Sequence, residues 1–308
     1  MRFRIGSIGA FALLALGVLQ PGAAGADPFL LSVSRCQSVI LICPPALLRT
    51  VDAADGSTVS ASVTITVPGP PALTVRGATG LAQHPQTGTF FALLQIQGRS
   101  FPELVTLDET TGIATSIGNT SDKFAGIAFA ADGTLYGVSG DGGAVPESLY
   151  TLSTADASAT LVLQLGNGSD GETIAFNPDD GLLYHASGIG QPNQSANGEI
   201  LEKIDLVTLN VTNVPLSGFD YEELASLTFS QGGFYAGDLG DSAVDMPGLL
   251  RITTGGAVTF LGDLDHVARG LAPVLPPPAI PAVPTSLLGL LAVSLLALGR
   301  QRLPASSV

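Results

Sequence analysis

The chain has 308 residues, with 26 Asp+Glu against 12 Lys+Arg, a formal net charge of −14, 38 Gly and no Trp. That charge argues against a nucleic-acid partner, because phosphate recognition needs clustered Lys and Arg. Only 12% of the chain is charged, and a Gly-, Thr-, Val- and Leu-rich composition favours strands and turns over helices, at a length that suffices for one large core.

The N-terminus has the order of a secretory signal: Arg2 and Arg4, then the apolar "IGAFALLALGVL", then the small residues Ala24–Gly25–Ala26. Residues 1–26 are therefore expected to be a signal peptide, cleaved before Asp27. The apolar run is short for a bilayer span. Next come Cys36 and Cys43 in "RCQSVILICPP". In an exported chain two close cysteines are expected to form one disulfide. With no His nearby they make only half a zinc site.

A repeat organises residues 27–274. "TGLAQHPQTGTFFAL" leads to "PELVTLDETTGIATSIG", and "AGIAFAADGTLYGV" to "ESLYTLSTADASATLVLQLG". "ETIAFNPDDGLLYHA" leads to "GEILEKIDLVTLNVTNVPL", and "ASLTFSQGGFYAG" to "PGLLRITTGGAVTFLG". The first-strand anchors Leu81, Ile127, Ile174, Leu227 and Leu271 recur at intervals of 46, 47, 53 and 44 residues. Each unit alternates apolar and polar residues at period two, with Gly, Asp, Asn and Pro at matching turns. That alternation excludes helical solenoids. Four short strands in a period of forty to fifty residues is the signature of a propeller blade, and the body resembles β-propeller repeat proteins.

The fifth anchor answers a deficit at the other end. "FLLSV" aligns with "TLYGV", and "ALLRTVDAADGST" with "SLYTLSTADASAT", but this N-terminal unit lacks a first strand. "VARGLAPV", residues 267–274, supplies it. The expected fold is all-β: a five-bladed β-propeller whose last blade is shared by both termini, closing the ring and removing two open sheet edges. A sixth, degenerate blade around "VPGPPALTVRG", residues 67–77, is the alternative.

In a propeller the links entering the first strands lie on one face, a fold-level analogy. Those links hold Asp122, Asp170, Asp220 and Asp265, with Lys123, Glu172, Glu222, Glu223, His266 and Arg269 beside them. Carboxylates around a channel mouth suit Ca²⁺, a hard cation with oxygen ligands, so the metal candidates are Asp122, Asp170, Asp220 and Asp265. The same Asp residues also suit turns before strands. Lys123, Asp170, Glu172, Glu223 and Arg269 are the ligand-binding candidates. No nucleophile elbow or Ser-His-Asp order appears in the sequence, and Glu172, Glu223 and His266 are the weaker acid/base candidates. His84 reads as a turn residue and His185 as a core or channel residue. "SGIGQPNQSANG" is a long polar loop in the third unit.

After the Pro-rich residues 275–284 come an apolar segment and Arg300 and Arg302, the expected sorting or membrane helix over 285–302. A Pro-containing motif, short apolar helix and terminal Arg cluster resemble the PEP-CTERM and IPTL-CTERM class of bacterial sorting tails, with "IPAVPTS" standing where Pro-Glu-Pro would be. The resemblance implies a Gram-negative host, a sorting protease of the exosortase type, and delivery to the periplasm, cell surface or extracellular matrix. Without both ends, 26 acids face the 8 bases left when four Arg are taken from 12. The expected function is a non-enzymatic module binding a ligand, an extracellular polysaccharide or a surface protein. The alternative is an extracytoplasmic hydrolase or lyase using carboxylates at the channel mouth.

Overall fold

A computed structural model describes residues 29–34, 45–140, 142–145, 147–165, 171–187, 200–220, 223–240 and 246–274. Both expected terminal segments, Cys36 and Cys43, Asp170, Glu222 and the loop 188–199 lie outside the described residues. Among the described residues no helix is long and apolar enough to cross a membrane.

The strands follow the repeat. The shared blade opens with β1 (Phe29–Ser34), β2 (Leu47–Asp52) and β3 (Val63–Thr64). The first blade is β4 (Val75–Gln83), β5 (Phe90–Ile96), β6 (Glu103–Leu107) and β7 (Ala114–Asn119). The second is β8 (Phe124–Phe129), β9 (Leu135–Ser139), β10 (Ser148–Leu152) and β11 (Ala159–Gln164). The third is β12 (Gly171–Asn177), β13 (Leu182–Ser187), β14 (Ile200–Ile204) and β15 (Val211–Pro215). After the short β16 (Ser217–Gly218), the fourth is β17 (Leu224–Ser230), β18 (Gly233–Asp238), β19 (Gly248–Ile252) and β20 (Ala257–Asp263). Finally β21 (Ala268–Pro273) adds to β1, giving the sheet order β21-β1-β2-β3.

This is a five-bladed β-propeller with one blade shared between the chain ends. The segment 67–77 makes no sixth blade. Val67 and Leu73 bridge to each other within it, residues 75–77 already belong to β4, and Thr66 just before it bridges in parallel to Ile113 at the outer edge of the first blade. β16 does the same against β20 in the fourth blade. Both links cover part of an outer edge that would otherwise be open to pairing.

The five anchors define one register around the ring. Leu81 pairs across from Ala92, Ile127 from Gly137, Ile174 from His185, Leu227 from Ala236, and Leu271 from Ser32. The third strands continue it with Val105, Tyr150, Glu202, Leu250 and Arg49. Arg49 is thus the counterpart of Tyr150, one residue away from the match of "ALLRTV" to "SLYTLS". Leu48 and Val51 are buried where Leu149 and Leu152 are, and burial sets the register.

Small residues let the first strands approach. β4, β8, β12, β17 and β21 touch their neighbours in a closed circle. The residue before each anchor is Gly80, Gly126, Thr173, Ser226 or Gly270. A Cβ on Gly126 would stand 3.0 Å from Thr173 Cα, and one on Gly270 2.8 Å from Leu81 N. Five apolar clusters then fill the five joints between blades, one of them around Ala128, Val138, Leu149, Ile174, Leu183 and Ile204 between the second and third blades.

The two faces differ. On one, each turn between third and fourth strands closes on a left-handed residue: Gly56, Gly112, Ala157, Leu209 and Gly256, at φ 77, 69, 63, 58 and 88°. Side chains seal these turns. Asp52, Asp108, Ser153, Asp205 and Thr253 each accept backbone N–H bonds within the turn. The opposite face carries the links into the first strands and the longer connections between second and third strands.

Candidate functional site

The links entering the first strands sit where the repeat places them, and Asp122, Glu223, Asp265 and Arg269 are engaged locally there. Asp122 Oδ1 accepts from the backbone of Lys123 and of Ala144 at 2.8 and 2.9 Å, fastening a link of the second blade to its long loop. Lys123 and Asp220 are exposed. Glu223 and Arg269 are brought together, Arg269 Nη1 lying 3.6 Å from Glu223 Oε1 between adjacent first strands. Glu172 lies on β12. Among the described residues, the oxygens of Asp122, Asp220 and Asp265 do not converge as one ligand set.

The shared blade assembles a relay that the order of residues hides. His266 Nδ1–H donates to Asp265 Oδ1 at 2.6 Å, and His266 Nε2 lies 2.7 Å from Ser32 Oγ. Thr58 Oγ1 donates to the same Asp265 oxygen at 3.2 Å, and Arg49 Nε lies 3.7 Å from it. Burial pushes the Asp265 carboxyl up, but the His266 bond and the Arg49 charge outweigh it, and it sits below the usual range. Burial pushes His266 down, helped by Arg49 and opposed by the Asp265 bond and charge, so the ring favours its neutral form. The geometry is that of a serine hydrolase relay. Ser32, however, is wholly buried, paired on one side to β21 and on the other to β2, which keeps its oxygen from any substrate. The relay fastens the N-terminal strand to the C-terminal one.

A second polar cluster lies inside the joint between the second and third blades. His185 occupies the register position that holds Ala, Gly, Ala and Ser in the other blades. Opposite it stands Glu202, where the other blades have Val, Tyr, Leu and Arg. Both lie on the face that carries Leu183 and Ile204, towards the second blade. From that blade comes Glu147, the residue before β10, held at φ 51°. All three are buried to within 1%.

His185 Nδ1 lies 2.7 Å from Glu202 Oε2, and His185 Nε2 lies 3.7 Å from Glu147 Oε2. A carboxylate only accepts, so Nδ1 carries the proton. Burial opposes a charge on His185, but the Glu202 bond and the negative charges of Glu147 and Glu202 prevail and raise its proton affinity. Among the described residues, these three are the group whose donor atoms come close enough to hold one ion, within 4.8 Å of each other.

Sequence reading placed His185 on a strand and did not find Glu147 or Glu202. Aligning the second strands by anchor would have marked His185, the one large polar residue at a position of small ones. Nothing local marks Glu147, because its partners belong to the next blade.

No family model and no curated protein matches the chain. Among solved structures it is similar to the nidogen/laminin complex, at 11% identity and a TM-score of 0.47, over 80% of this chain and 98% of that one. It is also similar to TolB from Acinetobacter baumannii, at 14% identity and a TM-score of 0.46, over 81% of this chain and 67% of that one. The extracellular domain of a one-component system from B. thetaiotaomicron is similar at 9% identity and a TM-score of 0.39, over 74% of this chain and 29% of that one.

Proposed function

We propose that this propeller is exported and acts at the cell surface or in the extracellular matrix as a non-enzymatic binding module. Its ligand is a polysaccharide or a surface protein, taken on the face that carries the links and long loops. The observation behind this reading is the asymmetry of the faces. The opposite face is built of short turns sealed by their own side chains, whereas at the proposed face second and third strands end and begin across longer stretches of sequence, from Ser34 to Leu47, Ser139 to Ser148, Ser187 to Ile200 and Asp238 to Gly248. Variable loops on a rigid ring are where binding groups concentrate. Lys123, Glu223 and Arg269 lie on this face and could meet a polar ligand.

Export is supported by the two ends of the sequence, a cleavable signal over 1–26 and a sorting tail over 285–302 for a protease of the exosortase type. Against the hydrolase or lyase reading stand the burial of His266 and the pairing of Glu223 with Arg269.

Two measurements test the proposal. Intact mass of the protein recovered from the cell surface should show an N-terminus at Asp27 and loss of the tail beyond the Pro-rich segment. A full-length precursor in the cytoplasm would sink the export reading. On an array of neutral and acidic polysaccharides, the chain should bind a subset, and a variant with 188–199 replaced by a short Gly-Asn-Gly turn should lose that binding. Equal binding by the variant would remove this face from consideration.

A further inference from the structure

We propose that Glu147, His185 and Glu202 form a site for one divalent transition-metal ion, Zn²⁺ foremost, that staples the second blade to the third. His185 Nε2 and Glu147 Oε2 are the ligand atoms, and Glu202 positions the imidazole.

The first ground is distance. Nε2 and Glu147 Oε2 face each other at 3.7 Å, too far for a hydrogen bond. Two ligand atoms on one Zn²⁺, each about 2.0–2.1 Å from the metal, stand roughly 3.4 Å apart in a tetrahedral site. The observed gap suits an ion between them far better than a shared proton, which would draw the pair below about 3 Å.

The second ground is orientation. The Nδ1–H bond to Glu202 Oε2 at 2.7 Å fixes the tautomer in which Nε2 offers its lone pair towards Glu147. A carboxylate behind a histidine in this way is the usual support of a metal-bound imidazole. Glu202 acts through His185, not on the ion.

The third ground is an unmet lone pair. His185 Nε2 is buried and makes no hydrogen bond among the described residues, and neither does Ser187 Oγ, two residues along β13. A buried acceptor left so is costly, and an ion at Nε2 satisfies it. Ser187 Oγ or a water could complete the coordination. The nitrogen ligand points away from Ca²⁺ and Mg²⁺, which take oxygen. Glu147 holds a left-handed backbone, a strained conformation that persists where surrounding structure enforces it.

The site does not depend on what the loop face binds. The full-length chain, purified in mild detergent and stripped with chelator, is dialysed against Zn²⁺ or Co²⁺, and metal per chain is measured. One ion per chain is expected, with a higher Tm, and visible Co²⁺ bands of a nitrogen–oxygen site. Glu147→Gln should lose stoichiometric binding. Glu202→Gln should keep the site but bind 10–100-fold more weakly, as loss of a supporting carboxylate does. If His185→Ala does not fold, the wild-type stoichiometry and the two Gln variants still decide. No retained ion in the wild type, or equal retention in folded Glu147→Gln, overturns the proposal.

Discussion

Ser32 Oγ and His266 Nε2 stand 2.7 Å apart across 234 residues of chain. With the Asp265 bond behind it, this contact ties β1 to the strand that completes its blade. The main-chain ladder from Leu30–Pro273 to Ser34–Ala268 does the rest of the closure. Ser32→Ala leaves a buried ring nitrogen without its donor, at a cost of about 1–3 kcal/mol. Amide hydrogen exchange should rise in β1 and β21 and stay unchanged in β5. Uniform exchange across all three strands would show that the ladder alone closes the ring.

The same contact predicts a pH dependence. His266 has its folded pKa lowered from 6.5, by burial first and Arg49 next, against the pull of Asp265. The unfolded chain therefore binds the proton more readily. The stabilisation is fully present above about pH 6.5 and is lost as pH falls towards the lower folded value. Moving from about pH 7.5 to about pH 5.5 should lower the urea midpoint of the wild type more than that of His266→Gln. Comparing the two removes the contribution of His185, which has the opposite sign. Parallel curves would mean that His266 does not titrate differently in the two states.

Ring order was legible because the strand signal is local. Leu81, Ile127, Ile174, Leu227 and Leu271 stand out by period and turn chemistry, and each occupies the same register in its sheet. The missing first strand of the N-terminal unit was legible for the same reason. The third strand of that unit was placed one residue off, because Leu47–Leu48 reads like Leu149–Tyr150 until burial separates them. Polar clusters were harder. Asp265 and His266 were visible as a charged pair in a link, but Ser32 lies at the far end of the chain. Glu147 meets His185 only because consecutive blades stack face to face, a relation that no periodicity within a blade encodes.

Turns between third and fourth strands offer a test of backbone strain. All five use a left-handed residue, yet two are not glycine: Ala157 and Leu209. Leu209 is 37% exposed, so its side chain loses little on removal. Leu209→Gly relieves about 1–2 kcal/mol of left-handed strain, offset in part by the freedom of glycine in the unfolded chain, for a net gain of up to about 1 kcal/mol. Gly112→Ala should do the reverse, because its Cβ would lie 2.6 Å from Thr64 O. Thermal melts of both variants check the pair; a lower Tm for Leu209→Gly would refute the strain account.

The last prediction concerns the centre of the ring. Gly270 precedes the anchor of the shared blade, and a Cβ there would meet Val33 Cγ2 at 2.7 Å, Leu81 N at 2.8 Å and Gly80 C at 2.9 Å. Two of these are backbone atoms of the neighbouring first strand, which cannot move without shifting β4 against its sheet. Packed interiors tolerate such overfilling poorly, at typically 1–3 kcal/mol. Gly270→Ala should therefore lower stability by about that amount or more. Gly255→Ala is the matched control, because its Cβ would meet nothing nearer than Thr253 Oγ1 at 3.8 Å and its φ is not left-handed. Denaturant unfolding of the two variants separates a steric demand from the general cost of replacing glycine. If both variants match the wild type, the first strands are not in backbone contact, and the channel is wider than the ring of small residues indicates.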